Sequence, residues 1–103
     1  MDRNLQLLGI ARKAGLLAIG GESVSAASRK GKVRAVFSAS DASDGAKRRA
    51  RNDSLFCGAE YSVVPYTKFE LGNVTGRGSP GTLAILDEGL AAGFLRGLAD
   101  KTK

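Results

Sequence analysis

Val33-Arg34-Ala35-Val36-Phe37-Ser38-Ala39, followed directly by Ser40-Asp41-Ala42-Ser43-Asp44, is the stretch that decides the fold. Val36 and Phe37 at the centre of the first seven residues mark a strand. The five residues after them are rich in types that cap helix N-termini, so a helix is expected from about Ser43 into the low fifties. On that helix Ala46, Ala50 and Ser54 share one face at four-residue spacing, while Lys47, Arg48 and Arg51 project from another. Small residues on the inner side imply close packing against a sheet.

Upstream, Leu7, Ile10, Ala11 and Ala14 fall at i, i+3, i+4 and i+7, the period of a helix over residues 2–14. Gly15 stands where a left-handed terminating residue is wanted. Leu16-Leu17-Ala18-Ile19 is too short for a helix and is expected as a strand. Gly20-Gly21 breaks it, and a second helix is expected over residues 22–29, ending near Gly31. Downstream, Tyr61-Ser62-Val63-Val64 reads as a strand stopped by Pro65. Thr67-Lys68-Phe69-Glu70-Leu71 reads as a short helix, with Thr67 and Glu70 at capping-box spacing. Residues 74–81 form a loop by composition. Thr82-Leu83-Ala84-Ile85-Leu86 is expected as the last strand, before a helix from Asp87 that sets Leu90, Phe94 and Leu98 four residues apart. Lys101-Thr102-Lys103 is expected to fray. The alternation predicts a three-layer α/β/α sandwich with a mixed sheet of about four strands. Leu8, Val36, Phe37, Val63, Ile85 and Phe94 are expected in its core.

The 103 residues leave room for one domain. No apolar run approaches the roughly 18 residues of a membrane span, so no membrane partner is expected. Met1-Asp2-Arg3-Asn4 does not open a basic region followed by an apolar one, so no signal peptide is read and the cytoplasm is the default compartment. One Cys and no His exclude an internal disulfide, zinc-finger spacings and imidazole catalysis. Cys57, in the apolar setting Leu55-Phe56-Cys57-Gly58, is expected as a small buried hydrophobe.

The net charge of +6 is uneven: residues 1–51 hold eleven Lys and Arg against four Asp and Glu, and residues 52–103 hold five against six. The cations cluster at Arg12-Lys13, at Arg29, Lys30, Lys32 and Arg34, and at Lys47, Arg48, Arg49 and Arg51. Solvated helix faces account for such charge in most proteins, and clustering favours a polyanion-binding face.

Three segments offer chemistry. Gly20-Gly21-Glu22-Ser23 opens a helix directly after a strand, where free N–H groups attract acceptors. It is not a P-loop or a dinucleotide fingerprint, since the Lys and the third Gly are missing. Glu22 repels phosphate and is better suited to accepting hydrogen bonds from base donors such as guanine N–H groups; locally it also stabilises the helix dipole. Ser40-Asp41-Ala42-Ser43 follows a strand end, a usual place for ligands in open α/β sheets; Asp41 more simply caps the helix it precedes. Gly76-Arg77-Gly78-Ser79-Pro80-Gly81 carries one exposed Arg on a flexible loop, where Gly and Pro also suit an ordinary connection.

Taken jointly, Leu7-Leu8-Gly9-Ile10-Ala11-Arg12-Lys13-Ala14-Gly15, Gly20-Gly21-Glu22-Ser23-Val24, Lys32-Val33-Arg34-Ala35-Val36, Ser40-Asp41-Ala42-Ser43, Leu71-Gly72 and Asp87-Glu88-Gly89 resemble, in order and spacing, the ribosomal protein L-seven-Ae / L-thirty-e superfamily, in its stand-alone bacterial YlxQ-type branch. The resemblance spans nearly the whole chain. It implies a single ribosomal-protein-like domain with no enzymatic activity and no cofactor or metal. The implied partner is kink-turn or related structured RNA, ribosomal or other non-coding. By position it implies RNA contacts from Gly20, Gly21, Glu22, Ser23, Ser40, Asp41, Ala42, Ser43, Thr75, Gly76, Arg77, Gly78 and Ser79; the basic clusters add Arg29, Lys30, Lys32, Arg34, Lys47 and Arg48 as candidates for phosphate contact. The Lys usually found six residues after the glycine is Ala26 here. That departure favours the alternative of a module binding ribosomal or other proteins.

Overall fold

The computed structural model describes residues 2–101; of the three residues expected to fray, Lys101 still belongs to the last helix, and Thr102 and Lys103 lie outside the described residues. Helices and strands alternate as α1 (Arg3–Lys13), β1 (Leu17–Ile19), α2 (Gly21–Arg29), β2 (Ala35–Ser38), α3 (Asp44–Cys57), β3 (Glu60–Val63), α4 (Lys68–Thr75), β4 (Thr82–Ile85) and α5 (Glu88–Lys101). The strands form one mixed sheet in the order β1-β4-β2-β3. β4 is antiparallel to both neighbours, with Ile19 opposite Leu83 and Ser38 opposite Thr82. β3 is parallel to β2, with Ser38 opposite Val63. Helices cover both faces, so the chain forms the expected α/β/α sandwich. Among the described residues no helix is long and apolar enough to cross a membrane.

Alternation along the strands divides the core in two. Phe37, Leu83 and Ile85 point to one face, where Leu8 of α1, Leu71 of α4 and Phe94 of α5 close over them. The Phe37 and Phe94 rings tilt at 56° with centroids 4.6 Å apart. Each of these large, fully buried side chains contributes about 1.5–3 kcal/mol relative to exposure. Ala18, Val36 and Ala84 point to the other face and meet Val24 of α2 and Ala50 of α3. Small side chains on both sides let α2 and α3 lie close to the sheet, as the alanine spacing implies; Ala50 and Ser54 are buried.

Three expectations are corrected. Val63 is 48% exposed, and Val64 takes the buried place. β3 is an edge strand, and Val63 lies on its α3 side beyond the part that α3 covers, while Val64 turns to the opposite face. Val74 and Thr75 belong to the last turn of α4 rather than to a loop, and Thr75 Oγ1 donates to the Leu71 carbonyl at 2.9 Å. Cys57 is half-buried at the end of α3, its Sγ 3.4 Å from the Asp53 carbonyl.

α1 is fixed at its start by Asp2, whose Oδ1 accepts from the Asn4 N–H at 2.8 Å and from the Tyr66 hydroxyl at 2.9 Å. Burial first, and then the hydrogen bond to Asp2 and its charge, push the Tyr66 phenol well above the ordinary tyrosine range. Folding therefore favours the neutral phenol. Its contribution is full below the unfolded value of about 10 and is lost as pH rises past it. Thermal unfolding followed between neutral pH and pH 11 checks this: Tyr66→Phe should flatten the alkaline fall in midpoint, and an unchanged slope would contradict it.

Candidate nucleic-acid interface

The chain enters β4 at the end of the sheet where it leaves β1, β2 and β3. Loops far apart in sequence therefore meet there. The Gly20 N–H donates to the Thr82 carbonyl, the Ala39 N–H to the Gly81 carbonyl and the Ser40 N–H to the Tyr66 carbonyl, each at 2.9 Å. Asp41 Oδ1 accepts the Lys68 N–H at 2.8 Å. Asp41 thus caps α4, not the helix it precedes. Ser43 caps α3 instead, accepting the Ala46 N–H at 3.1 Å.

The start of α2 is built by Gly20, whose φ of 93° belongs to glycine. No side chain caps this helix. The first-turn amides of Gly21, Glu22 and Ser23 lack intrahelical acceptors and offer a positive helix end. Glu22 and Ser23 are exposed beside them. On the third segment, Gly76 ends α4 in the left-handed region. Gly78 lies flat on that helix: a Cβ at Gly72 would overlap the Gly78 carbonyl oxygen. Arg77, Gly78 and Ser79 are exposed, with Pro80 buried beneath them.

Residues 20–23, 40–43 and 76–79 therefore share one end of the sheet. Two expected contacts do not face outward. Thr75 is fully buried and Ala42 is 7% exposed; Ala42 packs where a Cβ at Gly81 would come within 3.5 Å. Both hold the loops in place. Lys47 and Arg48 lie on the first turns of α3 at this end, with Lys47 Nζ 3.4 Å from the Ser40 carbonyl. Arg29, Lys30, Lys32 and Arg34 do not rim it. α2 carries Arg29 away from Gly21 by about 12 Å, and the Arg34 N–H donates to the Ile85 carbonyl, at the opposite end of β4 from Thr82.

Two cations absent from the sequence-based site stand here instead. A Cβ at Gly21 would lie 3.7 Å from an Arg49 guanidinium nitrogen, and one at Gly76 would lie 3.4 Å from the Arg12 guanidinium. Arg49 lines a cavity of about 170 Å³ with Gly21, Asp53, Gly81 and Thr82. Its place was hidden because its Nε bonds to Ser25 Oγ on another helix, at 3.1 Å. Among the described residues no group of three Cys, Asp or Glu side chains gathers to hold a metal ion.

No protein-family model matches the sequence, and no curated protein matches it. Solved structures do. A protein of unknown function from Bacillus halodurans superposes with a TM-score of 0.86 at 25% identity, over 96% of this chain and 99% of that one. The 15.5kD RNA binding protein of Giardia lamblia superposes with a TM-score of 0.70 at 18% identity, over 93% of this chain and 82% of that one. This chain shares their fold.

The flat seating of the loop on α4 is open to a paired test. Gly72→Ala should cost about 1–3 kcal/mol in denaturant unfolding through overpacking. Gly9→Ala, where a Cβ meets nothing within 4 Å, should gain about 0.5–1 kcal/mol from helix propensity. A Gly72→Ala protein as stable as the parent would contradict the close approach.

Proposed function

We propose that this chain is a non-enzymatic RNA-binding domain of the L-seven-Ae / L-thirty-e superfamily, in its stand-alone YlxQ-type branch, taking structured RNA of the kink-turn kind across the sheet end. The partner class is ribosomal or other non-coding RNA of the cytoplasm. The observation that carries this reading is the meeting of residues 20–23, 40–43 and 76–79 at one end of the sheet, beside Arg12, Lys47, Arg48 and Arg49. The uncapped amides of α2 donate to phosphate or base acceptors. Glu22 accepts guanine N–H groups, which phosphate-only recognition would not need. The cations neutralise the backbone, and Arg77 reaches in from the exposed loop. The shared fold with an RNA-binding protein from Giardia lamblia supports the same reading.

A protein-interaction module is the second reading. It is favoured by the groove of about 440 Å³ between α1 and α4, lined by Leu5, Gly9, Ile10 and Val74. Ile10 is 59% exposed there.

Binding of a kink-turn RNA and an uninterrupted duplex of equal length, titrated with salt, separates the two. Neutralising about four phosphates gives a slope of log K against log salt of roughly −3 to −4. Lys47→Ala or Arg48→Ala should weaken both RNAs alike and flatten the slope by about one. Glu22→Ala should reduce discrimination between them more than total affinity. Equal affinity for both RNAs would refute kink-turn recognition, and no binding at low salt would leave the protein module in front.

A further inference from the structure

The opposite end of the α2–α3 layer has chemistry of its own. Phe56, in the last turn of α3, is 70% exposed. It stands at i+7 from Arg49 and i+3 from Asp53, on the flank through which α3 bonds to α2. Arg49 Nε donates to Ser25 Oγ at 3.1 Å, Ser25 Oγ donates to Asp53 Oδ2 at 2.5 Å, and Ser28 Oγ donates to the Asp53 carbonyl at 2.6 Å. These bonds run the two helices side by side in the same direction. Arg29, one turn beyond Ser25, therefore stands at the same end of the layer as Phe56.

The chain then turns tightly. The Gly31 N–H donates to the Ser28 carbonyl at 2.9 Å and the Lys32 N–H to the Ala27 carbonyl at 3.1 Å, with Gly31 at a φ of 68°. This paired cap fixes Lys30 and Lys32 just past the helix end. Arg29, Lys30 and Lys32 are all exposed. A helix C-terminus favours cations on its own account, which explains Arg29 and Lys30 locally. It does not explain an exposed aromatic ring at the same end of the layer. Arg34 lines a different cleft with Glu60 and Glu88 and takes no part.

An exposed ring with cations at the same end of two rigid helices offers a base a face to stack on while its phosphates are neutralised. We propose that Phe56, Arg29, Lys30 and Lys32 form a second RNA contact, which takes a single-stranded segment. One base stacks on Phe56, and the flanking phosphates pair with the three cations. The contact lies at the far end of the molecule from the sheet-end site and does not depend on it.

Fluorescence anisotropy of the full chain with a labelled oligouridine of about ten nucleotides tests this. Phe56→Ala and Phe56→Leu should each weaken oligouridine binding about tenfold, whereas Phe56→Trp should retain it. Arg29→Ala combined with Lys32→Ala should flatten the salt slope by roughly one and a half. All these variants should keep the parental thermal midpoint and the parental affinity for a kink-turn duplex. Arg77→Ala should do the reverse, weakening the kink-turn duplex and sparing oligouridine. Protein saturated with the duplex should still bind oligouridine. The proposal is overturned if Phe56→Ala leaves oligouridine affinity within twofold, if the two RNAs exclude each other, or if oligouridine does not bind at low salt. That last result would assign the patch to a protein partner. Loss of kink-turn binding alone, with oligouridine binding intact, would sink only the sheet-end reading.

Discussion

β4 runs antiparallel to both β1 and β2, and the candidate interface depends on that one constraint. Because the chain enters β4 where it leaves its neighbours, the loops after β1, after β2 and before β4 are forced to one end. Backbone hydrogen bonds from Gly20 to Thr82 and from Ala39 to Gly81 then lock them together. With β4 reversed, the loop before it would open at the other end of the sheet, about 13 Å away. No choice of side chains could then assemble one surface from the three segments.

Side-chain size decides what lies beside that surface. The face with Phe37, Leu83 and Ile85 holds α1, α4 and α5 at a distance set by Leu8, Leu71 and Phe94. The face with Ala18 and Ala84 brings α2 and α3 in close. Eight of the eleven cations in the first half of the chain lie on α2, on α3 or between them. The close-packed layer is thus also the cationic one. Four of these cations stand on α3 between residues 47 and 51, and Arg29, Lys30 and Lys32 stand at and just past the end of α2. The layer therefore has two ends with different neighbours: uncapped amides and Glu22 at one, Phe56 at the other.

Much of this was legible in the sequence, and the parts that were not have physical reasons. Strand centres and helix faces follow from local apolar periodicity, and the glycine and cap positions follow from turn chemistry, which is also local. Ser62-Val63-Val64 places two valines in succession, and only the pairing of an edge strand settles which one is buried. Asp41 obeys the rule that an Asp before a helix caps a helix, but the helix is α4, 27 residues on. Clustering grouped Arg29, Lys30, Lys32 and Arg34 with the site, although a helix over residues 22–29 already carries them to the end away from Gly20. Arg49 takes its place from bonds to Ser25 on α2, and no spacing rule reaches across helices.

The most direct measurement is an amide chemical-shift map of the full chain titrated with a kink-turn RNA lacking single-stranded ends. The account predicts the largest changes at Gly20, Gly21, Glu22, Ser23, Asp41, Ser43, Gly76, Arg77 and Ser79, all in one binding event. Changes confined to the α1–α4 groove around Ile10 and Val74, with the sheet-end amides unmoved, would contradict it.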